Sequence, residues 1–193
     1  MIKGKLFQKE LQAQILKDRG VQKAMDVEME RHFLKEKKAM LAEFDTHPVT
    51  QGLKSHSSAG LVPKGTLFGF LGFADGDRPT EELRQFLNKF ITFKFSSNSK
   101  TKAERIYSVK VPTKDEIYDA TPLPWADGRS WVKGIEHGIS GMGKYMDIKS
   151  PQSRSGEGIQ SKNDTGGRFR NTSYISSILN NFKKKLQSSG MIF

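Results

Sequence analysis

The chain has 193 residues, 35% of them hydrophobic, and a mean hydropathy of −0.59, enough for one core with extended appendages. Thirteen Phe and two Trp argue against wholesale disorder, and the lack of cysteine excludes disulfides, thiolate zinc sites and cysteine nucleophiles. The net charge is +11, and residues 146–193 carry eight basic against three acidic side chains, a balance suited to nucleic acid, an acidic partner or an anionic surface.

No apolar run reaches the roughly 18 residues that a membrane-spanning helix needs, so no membrane partner is expected. The basic start MIKGKLFQKELQAQ lacks the apolar block of a secretory signal.

In chain order, residues 4–19 place Leu6, Phe7, Leu11, Ile15 and Leu16 near helical spacing, and Gly20 is expected to interrupt or kink the helix. From Val21 a narrow apolar stripe follows through Met25, Met29, Phe33, Met40 and Phe44, set among mixed charges. Pro48 disfavours helical geometry at His47, so the stretch EFDTHPVTQGLKS (residues 43–55) reads as a helix stop, with a helix handed on to a sheet. Residues 55–65 read as a polar loop.

TLFGFLGF (residues 66–73) alternates with Leu67, Gly69, Leu71 and Phe73 on one face and Phe68, Phe70 and Gly72 on the other. It reads as a strand apolar on both sides, which needs cover from helices or a neighbouring subunit. A helix follows, with Asp77 as cap, Pro79 in the first turn, Glu81 and Glu82 at its positive end, and Leu83, Phe86, Leu87 and Phe90 on its buried face. Residues 91–95 and 104–112 alternate as strands.

Residues 113–128 read as a helical turn and a Pro-rich loop. Residues 129–138 fit either a strand or a short helix. Residues 148–168 form a long polar loop or arm, and a closing helix buries Ile175, Ile178, Leu179, Phe182 and Leu186, with Asn171 to Ser173 as caps and Lys183 to Lys185 at its negative end.

The motifs for chemistry fall short. GISGMGKY (residues 138–145) has phosphate-loop glycine spacing before Lys144, but Tyr145 stands where a magnesium-binding hydroxyl is required, and no buried strand precedes it. His32, His47, His56 and His137 form no pair at i+3 or i+4, so no metal site is expected. Glu136 and His137 are sequence neighbours that point apart in regular structure. There is no G-x-S-x-G elbow. Arg154, Lys162, Arg168 and Arg170 give the arm a means of contacting phosphate, yet residues 150–168 contain no aromatic for stacking on single strands. No catalytic residue and no cofactor is assigned.

Three passages carry a family resemblance. In HPVTQGLKS, Pro48, Val49, Thr50, Gly52, Leu53 and Lys54 stand where tail-completion, or head–tail joining, proteins of tailed bacteriophages have Ala-Pro-Val, Thr-Gly, then Leu and a basic residue. His47 replaces the alanine, and Gln51 is interposed. In WVKGIEHGI, Trp131, Ile135, Glu136 and Gly138 follow that family's aromatic, Val/Ile, Glu and Gly pattern. GRFRNTSYISSILNNFKKKL is similar to the family's closing passage through Phe169, though both family prolines are missing.

The resemblance implies a single α+β domain over residues 1–193: a small antiparallel or mixed sheet packed by a long N-terminal helix (about 4–45), a middle helix and a C-terminal helix. It implies a ring-forming subunit, commonly of six copies, at the neck or upper tail of the virion, with tail-tube and neck or connector proteins as partners, genomic DNA in the lumen, no catalysis and no cofactor. On this reading Phe68, Phe70 and the 148–168 arm make subunit contacts, and Trp131 with Glu136 supports the interface, with plain core packing the alternative for Trp131. The competing function is that of a basic nucleic-acid-binding protein, whose affinity falls steeply with salt. A nuclease would need a carboxylate cluster that is not visible.

Overall fold

The computed structural model describes residues 14–15, 17–60, 65–98, 105–124, 126–137, 146–147, 159–160, 173–189 and 191–193. The expected GISGMGKY turn, Phe169, Asn171, and the arm residues Arg154, Lys162, Arg168 and Arg170 lie outside them, as do most of residues 4–19 and of the 148–168 arm.

The architecture is α+β, predominantly helical, with small antiparallel two-stranded sheets. The chain divides into two compact units, each built from non-contiguous segments. The first comprises Met1–Met40, Phe90–Val111 and Asn180–Phe193; the second comprises Leu41–Lys89 and Pro112–Leu179.

In the first unit, helix α1 (Arg19–Thr46) supplies its N-terminal part. The break before it falls at Asp18 rather than Gly20, because the Asp18 carboxylate accepts the Val21 N–H at 2.9 Å and so caps a new helix. Of the expected stripe, Phe33, Met40 and Phe44 are buried and Met25 and Met29 are half-buried; Phe33 stacks on Phe93 at 5.4 Å.

Phe93 belongs to β1 (Thr92–Asn98), which pairs antiparallel with β2 (Arg105–Lys110) and carries an irregularity between Phe95 and Ser97. Tyr107 of β2 stacks on Phe93 and donates its hydroxyl to Asp26 at 3.0 Å. Arg105 grips the same carboxylate with two bonds of 2.7 Å and lies over the Phe95 ring. That guanidinium holds the Asp26 carboxyl below its usual range, against the upward pull of burial. On the other side of β2, Ile192 pairs in parallel through Val109 and Tyr107.

The second unit begins with the end of α1. Pro48 confines His47 to extended backbone, and an extended residue is what a helix N-cap requires, so the proline that ends α1 also starts α2 (Pro48–Lys54). The helix stop is where the sequence places it, but the chain passes to a second helix, not to a sheet.

Residues 66–73 differ more sharply from expectation. They form α3 (Leu67–Phe70), a single turn capped by the Thr66 hydroxyl, which accepts the Gly69 N–H at 3.0 Å. The turn closes with Gly72 at φ +76°; Gly72 N–H bonds Gly69 C=O, and Phe73 N–H bonds Phe68 C=O. The Phe68 and Phe73 rings meet across this closure at 5.4 Å. A tight turn with a left-handed glycine disperses Leu67, Phe68, Phe70, Leu71 and Phe73 in different directions, and all five are buried. The two-faced apolarity is thus met inside the chain.

Helix α4 (Pro79–Phe90) follows, with Leu83 and Leu87 fully buried. Asp77 closes the preceding turn by accepting the Ala74 N–H at 2.8 Å, while the Arg78 carbonyl receives the first helical bonds. A reciprocal Thr113–Glu116 capping box starts α5 (Lys114–Asp119). Strands β3 (Pro122–Leu123) and β4 (Ala126–Ser130) pair next, and Ser130 caps α6 (Trp131–His137) by accepting the Lys133 N–H at 3.1 Å. Of the ambiguous residues 129–138, those described, 129–137, are a strand end followed by a helix, with Trp131 and Ile135 on the buried face. A short pair, β5 (Met146–Asp147) with β6 (Ile159–Gln160), and helix α7 (Ile175–Gln187), which crosses from the second unit's residues to the first's, complete the chain.

Candidate functional site

Sequence-distant side chains converge on Tyr174, immediately before α7 and fully buried in the second unit. Its hydroxyl lies 2.6 Å from the Thr50 hydroxyl of α2, which is also fully buried. Phe44, at the end of α1, stacks on its ring at 5.9 Å; His47 approaches at 4.7 Å and Trp131 of α6 at 6.2 Å. Phe73 meets the edge of Trp131 at 6.2 Å. Two hydroxyls bonded to each other in an apolar surround satisfy one another, whereas either alone would be stranded. Burial pushes the Tyr174 phenol far above its ordinary range, so it stays protonated.

His47 works with its ring neutral. Nδ1 accepts the Val49 N–H at 3.2 Å and caps α2. Burial lowers its pKa below the ordinary value, opposed by a hydrogen bond to the Ser173 backbone and the charge of Glu43.

Gly52, one turn on, is packed so closely on Ala59 that a Cβ there would fall deep inside the Ala59 methyl. Asp45 ties α1 to α4 and α2, accepting from Arg84 Nε at 2.9 Å and from Lys54 Nζ at 3.1 Å. Burial pulls the Asp45 carboxyl upward, but the two cations outweigh it and hold its pKa below the ordinary value.

Glu136 leaves α6 to meet the start of α7, accepting from Ser176 N at 2.7 Å and from Ser176 Oγ at 2.5 Å. A carboxylate on the exposed N–H groups of a helix start is favoured by both hydrogen bonding and the helix dipole. His137, its sequence neighbour, turns instead to the Tyr118 hydroxyl at 3.0 Å.

The passages around HPVT, WVKGIEH and TSYISS are therefore one junction. Phe68 and Phe70 do not present a surface: both are buried, Phe68 under the His56 ring at 4.2 Å, which removes the reason for assigning them to subunit contacts. Trp131 is core, and Glu136 caps a helix. Sequence reasoning missed Thr50 and Tyr174 as partners, along with Arg84 and Ser176. The available signal is a Tyr just before a helix and a Thr inside an otherwise apolar turn, two polar tips that need company once buried.

Among the described residues, no group of three or more His, Cys, Asp or Glu is placed to hold a metal ion, and no helix is long and apolar enough to cross a membrane. No family model, curated protein or solved structure matches this chain.

Proposed function

We propose that the chain is a structural subunit of the neck or upper tail of a tailed bacteriophage, a tail-completion protein that acts by assembling with copies of itself into a ring, six on the pattern of the family it resembles. The observation that carries this reading is the junction at Tyr174. Passages far apart in sequence that underlie the resemblance pack against one another through Thr50, Trp131, Glu136 and Ser176, as parts of a shared structural signature should.

The contact surface on this proposal lies in the first unit, not at Phe68 and Phe70. Val27 and Leu34 are 58% and 53% exposed and sit seven residues apart on one side of α1, and Phe95 is exposed on β1. Among the described residues β1 pairs with β2 alone, which leaves a strand edge for a neighbour to cover. Single exposed apolar residues are ordinary; grouping on a helix side and an open strand edge is what favours a sister copy as the occupant. The basic surplus of residues 146–193 suits either an acidic neighbouring ring or DNA in the lumen, and a DNA titration against salt separates the two.

Mass in solution by light scattering, with electron microscopy of the same sample, tests the proposal. Closed rings are expected, and Leu34→Glu should weaken assembly while leaving the helical content unchanged. A monomer at every concentration, including in mixtures with tail-tube and connector proteins, would overturn it.

A further inference from the structure

Within the second unit an open cavity of about 290 Å³ lies between the end of α2, the α3 turn and the start of α4. It is lined on one side by Leu53, Lys54 and His56 and on the other by residues 76–81.

Two independent features meet there. The first is the N-terminus of a twelve-residue helix, where the dipole favours negative charge; Pro79 carries no N–H and the Glu81 and Glu82 N–H groups donate to the Arg78 carbonyl, which leaves the Thr80 N–H without an acceptor among the described residues. The second is Thr80, in the first turn of that helix. It lines the cavity and is only 4% exposed, yet its hydroxyl has no hydrogen-bond partner among the described residues. The other buried hydroxyls are satisfied: Thr50 by Tyr174, and Thr121 and Ser130 by each other. An unmatched buried donor is costly, which makes it a pointer to a missing guest.

The charges around the cavity are partly committed. Asp77 accepts the Ala74 N–H, and Glu81 pairs with Arg78 at 3.3 Å, which reduces the field that these carboxylates present to a guest. Lys54 lines the cavity with its Nζ 3.1 Å from Asp45, and Arg78 lines it with a largely exposed side chain paired to Glu81. The His56 ring, lying over Phe68, adds a group able to donate.

We propose that this cavity is an oxyanion site, taking a phosphate or a carboxylate on the hydroxyl and the backbone N–H of Thr80, with Lys54 supplying positive charge. The guest is either a free inorganic anion or the acidic side chain of a partner. This inference is independent of ring assembly.

The test is thermal unfolding of the full chain at constant ionic strength, with sodium chloride exchanged for sodium phosphate in one arm and for sodium acetate in the other. A ligand that binds only the folded state raises Tm saturably. Wild type should show a saturable rise with at least one of the two anions. Thr80→Ser should keep it, and Thr80→Val should lose it.

Thr80→Val preserves shape and removes an unpaired hydroxyl, so it should fold and be at least as stable as wild type in chloride. If Thr80→Val fails to fold, Lys54→Gln replaces it, with a weakened anion response expected. A response to phosphate alone assigns a tetrahedral anion; a response to acetate assigns a carboxylate of the kind a partner's Asp or Glu carries. No saturable rise with either anion, or the same rise in Thr80→Val, or in Lys54→Gln where it serves as the substitute, would overturn the proposal.

Discussion

The Thr50–Tyr174 pair offers the most direct measure of the junction. Both residues are fully buried, and their hydroxyls are 2.6 Å apart. Tyr174→Phe removes one oxygen and strands the Thr50 hydroxyl; Thr50→Val strands the phenol in the same way. Each change should cost about 1–3 kcal/mol, because a buried polar group loses its partner without regaining water.

The double substitution removes both polar atoms at nearly constant shape and should be far less damaging than the two losses added together. A coupling of about 1–2 kcal/mol between the sites is expected. In a chain of this size each kcal/mol moves Tm by about 2–4 °C, well within reach of measurement. Urea unfolding followed by tryptophan fluorescence suits the purpose, since Trp131 lies 6.2 Å from Tyr174. If the two single losses simply add in the double variant, the hydroxyls do not satisfy one another and the account of the junction is wrong.

Other substitutions probe the same region. Gly52→Ala drives a methyl into Ala59 and should cost about 1–3 kcal/mol in urea unfolding; Ala59→Gly in the same chain should recover most of it. His47 has a folded-state pKa below its unfolded value, so its contribution is present in full above about pH 6.5 and is lost as pH falls from there through the lower folded value. His47→Asn keeps an N-cap acceptor and should flatten that part of the stability–pH curve. Glu136→Ala removes the carboxylate at the start of α7 and should cost about 1 kcal/mol in urea unfolding, with Glu136→Gln losing less.

Periodic and capped segments were legible in the sequence because their signals are local. The apolar stripe of α1, the Pro-Thr-Glu-Glu start and buried face of α4, the β1–β2 alternation and the stripe of α7 follow from side-chain spacing and end chemistry, which act within a few residues. Pro48 also marked the end of α1.

What failed was the inference from alternation to strand at residues 66–73. Eight residues dense in Phe, Leu and Gly satisfy a period of two by chance, and the deciding features were the Thr66 cap and the left-handed Gly72, which close a turn. The consequence reached the functional reading, since a buried turn needs no neighbour where a two-faced strand does. Residues 129–138 stayed open for a related reason: Trp131 and Ile135 share a face in both geometries, and the choice rested on Ser130 capping a helix.

By itself, then, the sequence determined the main helices, the β1 and β2 segments and the passages worth comparing, since these depend on composition and short-range geometry. Only the tertiary structure decided that those passages meet at Tyr174, that Phe68 and Phe70 are internal, and that the Thr80 hydroxyl has no partner among the described residues. Burial and hydrogen-bond satisfaction are properties of groups brought together across the chain. Thr50 and Tyr174 are 124 residues apart, and no spacing rule reaches that far.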